Sequence, residues 1–290
     1  MARSGHFRPA SATFLRSSEG RSLESMPRGR TEKLLVEHVE TNGGAPTVGR
    51  RPDELIVEEP LEIRLDGHLV TTTMRTPGDD FELAVGLCLT DGLLGGAAVT
   101  GCRYCGESAS AVDTEFNVVT VETGGHAPVP IARVATTTSS CGLCGSASID
   151  ALRQRLRPLR DVTSFPLEIL AAAPERARAR QGLFDATGGV HAAAAFTIEG
   201  DVDVVREDIG RHNAVDKVIG RLLLDGRLPA GDLALYVSGR ASFEIVQKAW
   251  AAGFAAVVAV SAPSSLAVET AHAAGLTLAG FARDGHMNLY

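Results

Sequence analysis

The chain has 290 residues, 44% hydrophobic and 22% charged, with a formal net charge of −7. That is enough apolar material for one large core or two smaller ones, and an acidic balance gives no general basis for binding nucleic acid. No apolar run is long enough to span a bilayer, the N-terminus carries no apolar h-region, and five cysteines in so long a chain do not make a secreted disulfide scaffold. A cytoplasmic protein with neither membrane nor nucleic-acid partner is the expectation.

Residues 1–30 read as a flexible extension. Residues 1–31 hold six arginines against Glu19 and Glu24, among scattered Ser, Gly and Pro without helical period, and Met26 is an alternative start. Residues 31–165 read as a β-rich N-terminal domain. Segments 54–58 and 61–65 alternate apolar and polar residues, and Asp66-Gly67 separates the second from the apolar stretch 68–72, a strong hairpin signal. Residues 77–80 then open a helix carrying Leu83, Leu87 and Cys88, which ends near Asp91-Gly92; 117–121 is another strand. Ile149, Leu152 and Leu156 keep one helical face apolar until Pro158.

Residues 166–290 change character, to an α/β domain. A hairpin is predicted from 190–198 and 202–206, followed by a helix over 213–224 with Ala214, Val215, Val218, Ile219, Leu222 and Leu223 on one face. Apolar strands at 233–237, 255–260 and 276–281 alternate with helices at 242–252 and 264–274. That order argues for parallel pairing with helices packed on the sheet. Pro263 falls at the start of the last helix, where a missing amide costs nothing.

The densest chemistry is Cys141-Gly-Leu-Cys144-Gly145, after Ser139-Ser140 and at or just before a predicted helix. A helix N-terminus favours thiolate over thiol, and the glycines leave room for a sulfur-bearing partner. Three readings are open: a dithiol redox pair, half of a zinc site, or a sulfur carrier in which one cysteine holds a persulfide. Cys102-Arg-Tyr-Cys105 could complete the zinc site, but the 35 residues between the pairs exceed the usual spacing of ~15–20. Cys88, on an apolar helix face, reads as a buried small hydrophobe.

His191 follows Gly188-Gly189 at the entrance of an apolar strand. Zinc nucleobase deaminases use H-x-E and then P-C-x-x-C; here Ala192-Ala193 replaces the glutamate and the cysteines precede the histidine, so hydrolytic deamination lacks its proton shuttle. Residues 207–213, Glu-Asp-Ile-Gly-Arg-His-Asn, stand before a helix that Asp208 or Asn213 could cap. Capping explains only one polar residue of so dense a cluster; Arg211 and His212 suit an anion. Segments 238–242, 261–265 and 281–286 each follow a predicted parallel strand, so all three should meet at the sheet's carboxyl edge, where open α/β folds bind ligands. Their hydroxyls, free amides and arginines suit a nucleotide-like ligand's phosphates.

In segments 139–145, 188–191, 208–217, 238–242 and 281–283 the chain resembles the FdhD family, sulfurtransferases required to mature molybdenum-dependent formate dehydrogenases. The resemblance implies a sulfur carrier that passes persulfide sulfur from a cysteine desulfurase to the bis(molybdopterin guanine dinucleotide) molybdenum cofactor, which it holds as a bound substrate. No permanently bound cofactor and no metal site are expected. The implied fold is α/β with a cytidine-deaminase-like C-terminal domain, a mixed, largely parallel sheet and flanking helices, in a homodimer. By motif, Cys141 carries the persulfide and Cys144 assists. Phe281, Ala282, Arg283, Asp284, Gly285 and His286, with Ser238, Gly239 and Arg240, bind the cofactor. The alternatives are a zinc-stabilised, non-catalytic adaptor between desulfurase and dehydrogenase, or a dithiol redox protein.

Overall fold

The computed structural model describes residues 29–41, 43–105, 116–130, 156–160 and 162–290. The expected extension (to residue 28), Cys141, Cys144 and the helix expected after them as far as residue 155 lie outside the described residues. Strands β1 (Thr31–Glu40) and β2 (Thr47–Ile56) form an antiparallel ribbon of their own. Strands β3 (Glu59–Leu65), β4 (His68–Arg75), β5 (Gly101–Tyr104) and β6 (Val118–Glu122) form a four-stranded sheet in the order β4-β3-β6-β5, with helix α1 (Asp80–Thr90) against it. Asp66 and Gly67 take φ values of 47° and 85°, the left-handed pair that a tight β3–β4 turn requires. Leu61, Ile63 and Leu65 point to the same side, onto Leu83, Ala84 and Cys88 of α1.

The second part contains helices α2 (Leu167–Arg178), α3 (Gly182–Thr187), α4 (Arg211–Leu224), α5 (Phe243–Ala252) and α6 (Ser265–Ala274). They surround a six-stranded sheet of order β12-β11-β10-β9-β7-β8, built from β7 (His191–Phe196), β8 (Val202–Asp208), β9 (Ala234–Val237), β10 (Ala256–Ala259), β11 (Thr277–Arg283) and β12 (His286–Leu289). Alternation along each strand feeds two cores. Ala193, Leu235, Val237 and Val257 meet α4, α5 and α6, while Ala194, Phe196, Tyr236 and Val258 meet α2. Strands covered on both faces must be apolar throughout, as β9 and β10 are.

The sheet is mixed, as expected, but it is not largely parallel, and that part of the expectation is corrected. Only β9, β10 and β11 run parallel; β7 pairs antiparallel with both β8 and β9, and β12 turns back along β11. The two-residue turn at Asp284-Gly285, with φ values of 50° and 71°, makes that reversal. Pro263 stands before the Ser264 N-cap rather than in the helix, in an isolated parallel bridge with Ala241. Ser264 Oγ accepts from the Ala267 amide at 3.2 Å.

The two sheets are joined where α1 crosses α4. A Cβ on Gly86 would lie 1.9 Å from the Asp216 carbonyl oxygen, and one on Gly220 would lie 1.8 Å from that of Glu82. Glycine in a helix interior costs about 0.5–1 kcal/mol relative to alanine, so this pair is tolerated because backbone meets backbone there. Buried polar groups complete the junction. Asp208 pairs with Lys217 at 2.7 Å, Lys217 Nζ donates to the Thr76 carbonyl at 3.0 Å, and Asn213 Nδ2 donates to the Met74 carbonyl at 2.8 Å. Asp216 accepts from Lys248 at 2.7 Å and from Thr90 Oγ1 at 2.9 Å, and Arg206 grips Glu82 through two nitrogens at 2.5 and 2.8 Å. Gly220→Ala should lower the unfolding free energy by about 1–3 kcal/mol through overpacking, measured by urea denaturation; wild-type stability would show that the crossing is loose.

Candidate functional site

The three loops expected to converge do so at the carboxyl edge of β9, β10 and β11, and backbone hydrogen bonds link them into one rim. The Ser261 amide donates to the Gly239 carbonyl at 3.2 Å, and the Phe281 amide donates to the Ser261 carbonyl at 3.2 Å. Ser238 is tied down from the other side: its amide donates to the Ala192 carbonyl, and its Oγ accepts from the Ala192 amide, both at 2.9 Å. Arg240 is exposed, and its carbonyl accepts from the Ser242 amide at 3.1 Å.

Phe281 is the strained residue of the rim. Its φ is 53°, a region bulky side chains rarely enter, and it lies in a β-bulge between Gly280 and Arg283. A Cβ at Gly280 would meet Pro263 Cδ at 2.9 Å, so a glycine is needed where β11 passes the neighbouring loop. The bulge turns the Phe281 ring outward, 44% exposed, while Ala282 is wholly buried. Arg283 and His286 then face each other across the β11–β12 turn, whose Asp284 amide donates to Glu175 Oε1 of α2 at 2.9 Å. Phe281, Arg283, His286 and the turn between the strands, with Leu167, Glu168 and Ala171 at the start of α2, line a cleft of about 760 Å³. A cavity of about 820 Å³ lies at the other end of the strands, between residues 157–160, Val162, Thr163, Pro229, Gly231, Asp232 and Gly253, and contains none of the rim motifs. An exposed aromatic ring beside an arginine and a histidine gives the rim cleft the means to hold a flat, phosphorylated ligand.

Most of the polar cluster at 207–213 serves the fold. The Glu207 carboxylate accepts from the Leu183 and Phe184 amides at 2.9 and 2.8 Å and so caps α3. Asp208 and Asn213 belong to the junction with β4, and neither caps α4, whose N-cap is Gly210. Arg211 and His212 remain at the rim beside His191. His212 Nε2 lies 2.7 Å from Glu244 Oε2 and 3.5 Å from Ser242 Oγ. Serine and carboxylate thus face one nitrogen, not opposite sides of the ring, and a serine–histidine–acid triad is not formed. Glu168 and Glu244 carried no motif in the sequence; only tertiary packing brings them to the rim.

The cysteine pair at 102 and 105 is not built as a chelate. Cys102 lies opposite Val121 and packs into the first core, where burial, then the charge of Glu122, pushes its thiol up to about 11. Cys105 is on the other face, with Sγ 3.1 Å from Thr120 Oγ1 and 3.2 Å from Arg103 Nη1. Residues three apart on a strand point to opposite faces. Cys88 is fully buried, and burial raises its thiol pKa well above the usual range, as expected of a core residue. Zinc content of the purified protein should therefore not depend on Cys102 or Cys105; stoichiometric zinc lost on Cys105→Ser would show that the strand rearranges to bind metal.

Comparison with known proteins agrees over most of the chain. No helix among the described residues is long and apolar enough to cross a membrane. A solved structure from Desulfotalea psychrophila, described as a formate dehydrogenase accessory protein, shares the fold with a TM-score of 0.66 at 23% identity, over 89% of this chain and 96% of that one. The sulfur carrier protein FdhD of Streptomyces avermitilis is 52% identical over 250 residues, 84% of this chain and 89% of the relative. That of Mycobacterium tuberculosis is 49% identical over 255 residues, 85% and 92% respectively. The FdhD/NarQ family model matches residues 56–290, from the end of the β1–β2 ribbon through both sheets to the last residue, and the chain belongs to that family.

Proposed function

We propose that this protein is a cytoplasmic sulfur carrier that takes persulfide sulfur from a cysteine desulfurase and delivers it to the bis(molybdopterin guanine dinucleotide) molybdenum cofactor destined for formate dehydrogenase. The observation that carries the reading is the near-50% identity, over most of the chain, to relatives named as sulfur carriers. On this reading residues 31–165 and 166–290 are the two domains, the second cytidine-deaminase-like without the deaminase glutamate, and the working unit is a homodimer.

Cys141 thiolate attacks the outer sulfur of the desulfurase persulfide; the desulfurase cysteine leaves as thiolate, and a Cys141 persulfide forms. A low-pKa setting keeps Cys141 ionised, and Cys144 assists. The sulfane sulfur then passes to the substrate's molybdenum as a neutral atom, leaving Cys141 as thiolate, with the two electrons that make it sulfide drawn from that metal. The protein's share is to hold the substrate and exclude other thiols. Phe281 stacks on the base, while Arg283, His286 and the 238–240 turn with Arg240 meet the phosphates; Ala282, Asp284 and Gly285 set the bulge and turn that aim them.

The dithiol redox reading shares the same cysteines and differs in the product, a Cys141–Cys144 disulfide rather than a persulfide. Incubation with desulfurase and cysteine should add about 32 Da, roughly one sulfur, to the peptide containing Cys141. A loss of about 2 Da instead, for two hydrogens, would favour the redox protein. Cys141→Ala should abolish formate dehydrogenase maturation while GDP affinity stays as in wild type; full maturation by this variant would exclude the carrier role. Arg283→Ala should weaken GDP binding by roughly tenfold, as loss of a charge-assisted contact does, and still accept sulfur at Cys141. Unchanged GDP affinity would remove the rim cleft from the account.

A further inference from the structure

The β7 end of the rim holds basic groups to which the sulfur-carrier reading gives no task. His191 opens β7, Arg211 opens α4, and both face the open side of Gly239. A methyl group at Gly239 would lie 3.6 Å from His191 Cε1 and Nδ1 and 3.8 Å from Arg211 Cδ. His212 already has the Glu244 carboxylate. Arg211 differs: its Nε is shielded from water and, among the described residues, has no hydrogen-bond acceptor. The nearby carboxylate of Asp208 is engaged by Lys217, by Asn213 Nδ2 at 3.0 Å and by the Gly210 amide at 2.8 Å. A buried donor left unbonded is costly, and more so in a charged group. Burial lowers the pKa of His191, and the charges of Arg211 and His212 lower it further against the opposing pull of Asp208. Arg211 thus brings to the site a positive charge and a donor that no described residue meets.

We propose that Arg211 and His191, facing each other across Gly239, form an oxyanion site that accepts a phosphate group. Arg211 supplies the buried Nε–H and the fork that suits phosphate oxygens, and His191 takes up a proton as the dianion enters. The phosphate is either free or carried by a nucleotide. The hydrogen-bonded rim makes the second source geometrically reasonable: from β7 to β11 is three strand spacings, about 14 Å, so a ligand with its base at Phe281 can extend its phosphates toward Arg211. Only that choice of source rests on the sulfur-carrier reading; phosphate binding does not.

The charged groups around His191 are Arg211 and His212 of α4 and Asp208 at the end of β8, with Glu244 of α5 facing His212. Neutralising the cations raises the pKa of His191, so binding protonates the ring, with a proton from water when the dianion enters and from the phosphate itself when the monoanion does. The test is a titration of the full-length protein with inorganic phosphate at fixed ionic strength, following the His191 ring by NMR. Phosphate is expected to raise the His191 pKa. Arg211→Gln should weaken phosphate binding by roughly tenfold, as should Gly239→Ala, whose methyl makes only ordinary van der Waals contacts and should leave the thermal midpoint unchanged. If GDP affinity falls in both variants, a nucleotide supplies the phosphate; if only inorganic phosphate weakens, the site serves the free anion. A His191 pKa unmoved by phosphate, with both variants binding it as wild type does, would overturn the proposal. Failure of the Cys141 sulfur adduct would sink the carrier reading without touching this result.

Discussion

The contact on which the structure depends is the crossing of α1 and α4, where two glycines let the helix backbones touch. At that distance the helices have little freedom to slide. The surrounding side chains lock the arrangement: Lys217 and Asn213 reach the Thr76 and Met74 carbonyls, and Asp216 bonds Thr90. Removing one member of such a buried charged pair strands the other, at about 3–5 kcal/mol. The consequence for function is positional. Because α4 is clamped through its middle, Arg211 and His212 at its first turn hold fixed places beside the rim, and the end of β4 is bound to the same helix.

The rim follows from the sheet. Three parallel strands end at one edge, and each must leave it through a loop that leads into a helix or, after β11, into a turn. Such an edge collects amides and short polar side chains whatever the protein does. What distinguishes this one is the cost accepted to shape it: a phenylalanine at positive φ, a bulge, and a glycine that neighbouring side chains would crowd out if it carried a Cβ. Strain of that kind persists only where the surroundings enforce it, and it presents an aromatic face to the cleft beside α2.

The regular elements were legible in the sequence wherever burial was one-sided or complete. The 190–206 hairpin, the helix at 213–224 and the alternating strands after it fall within a few residues of their places, because period and turn chemistry there agree with the tertiary structure. The misses have local causes. Helix α2 contains Pro174, which removes a backbone donor and weakens any helical reading, yet its Leu170, Ala173 and Ala177 still cover the sheet. Strand β12 is a four-residue edge that reads as a tail, and β5 is too short to show a period. The polar cluster at 207–213 was ambiguous for a deeper reason. A carboxylate that caps a helix, one buried against a lysine and one that binds a ligand look alike until their partners are known, and Thr76 is 132 residues from Asp208. Likewise, C-x-x-C spacing means chelation in a loop but opposite faces on a strand, which separates Cys102 from Cys105.

The proposed function comes down to one chemical claim, that sulfur held at Cys141 is delivered to a ligand seated at this edge. The most direct measurement is a single-turnover transfer with the persulfide sulfur isotopically labelled. The protein is loaded by desulfurase and labelled cysteine, freed of both, and mixed with the molybdenum cofactor. The account requires the label to appear on the cofactor at the rate at which it leaves the Cys141 peptide. Label that stays on the protein, or leaves only when a thiol reductant is added, would contradict it.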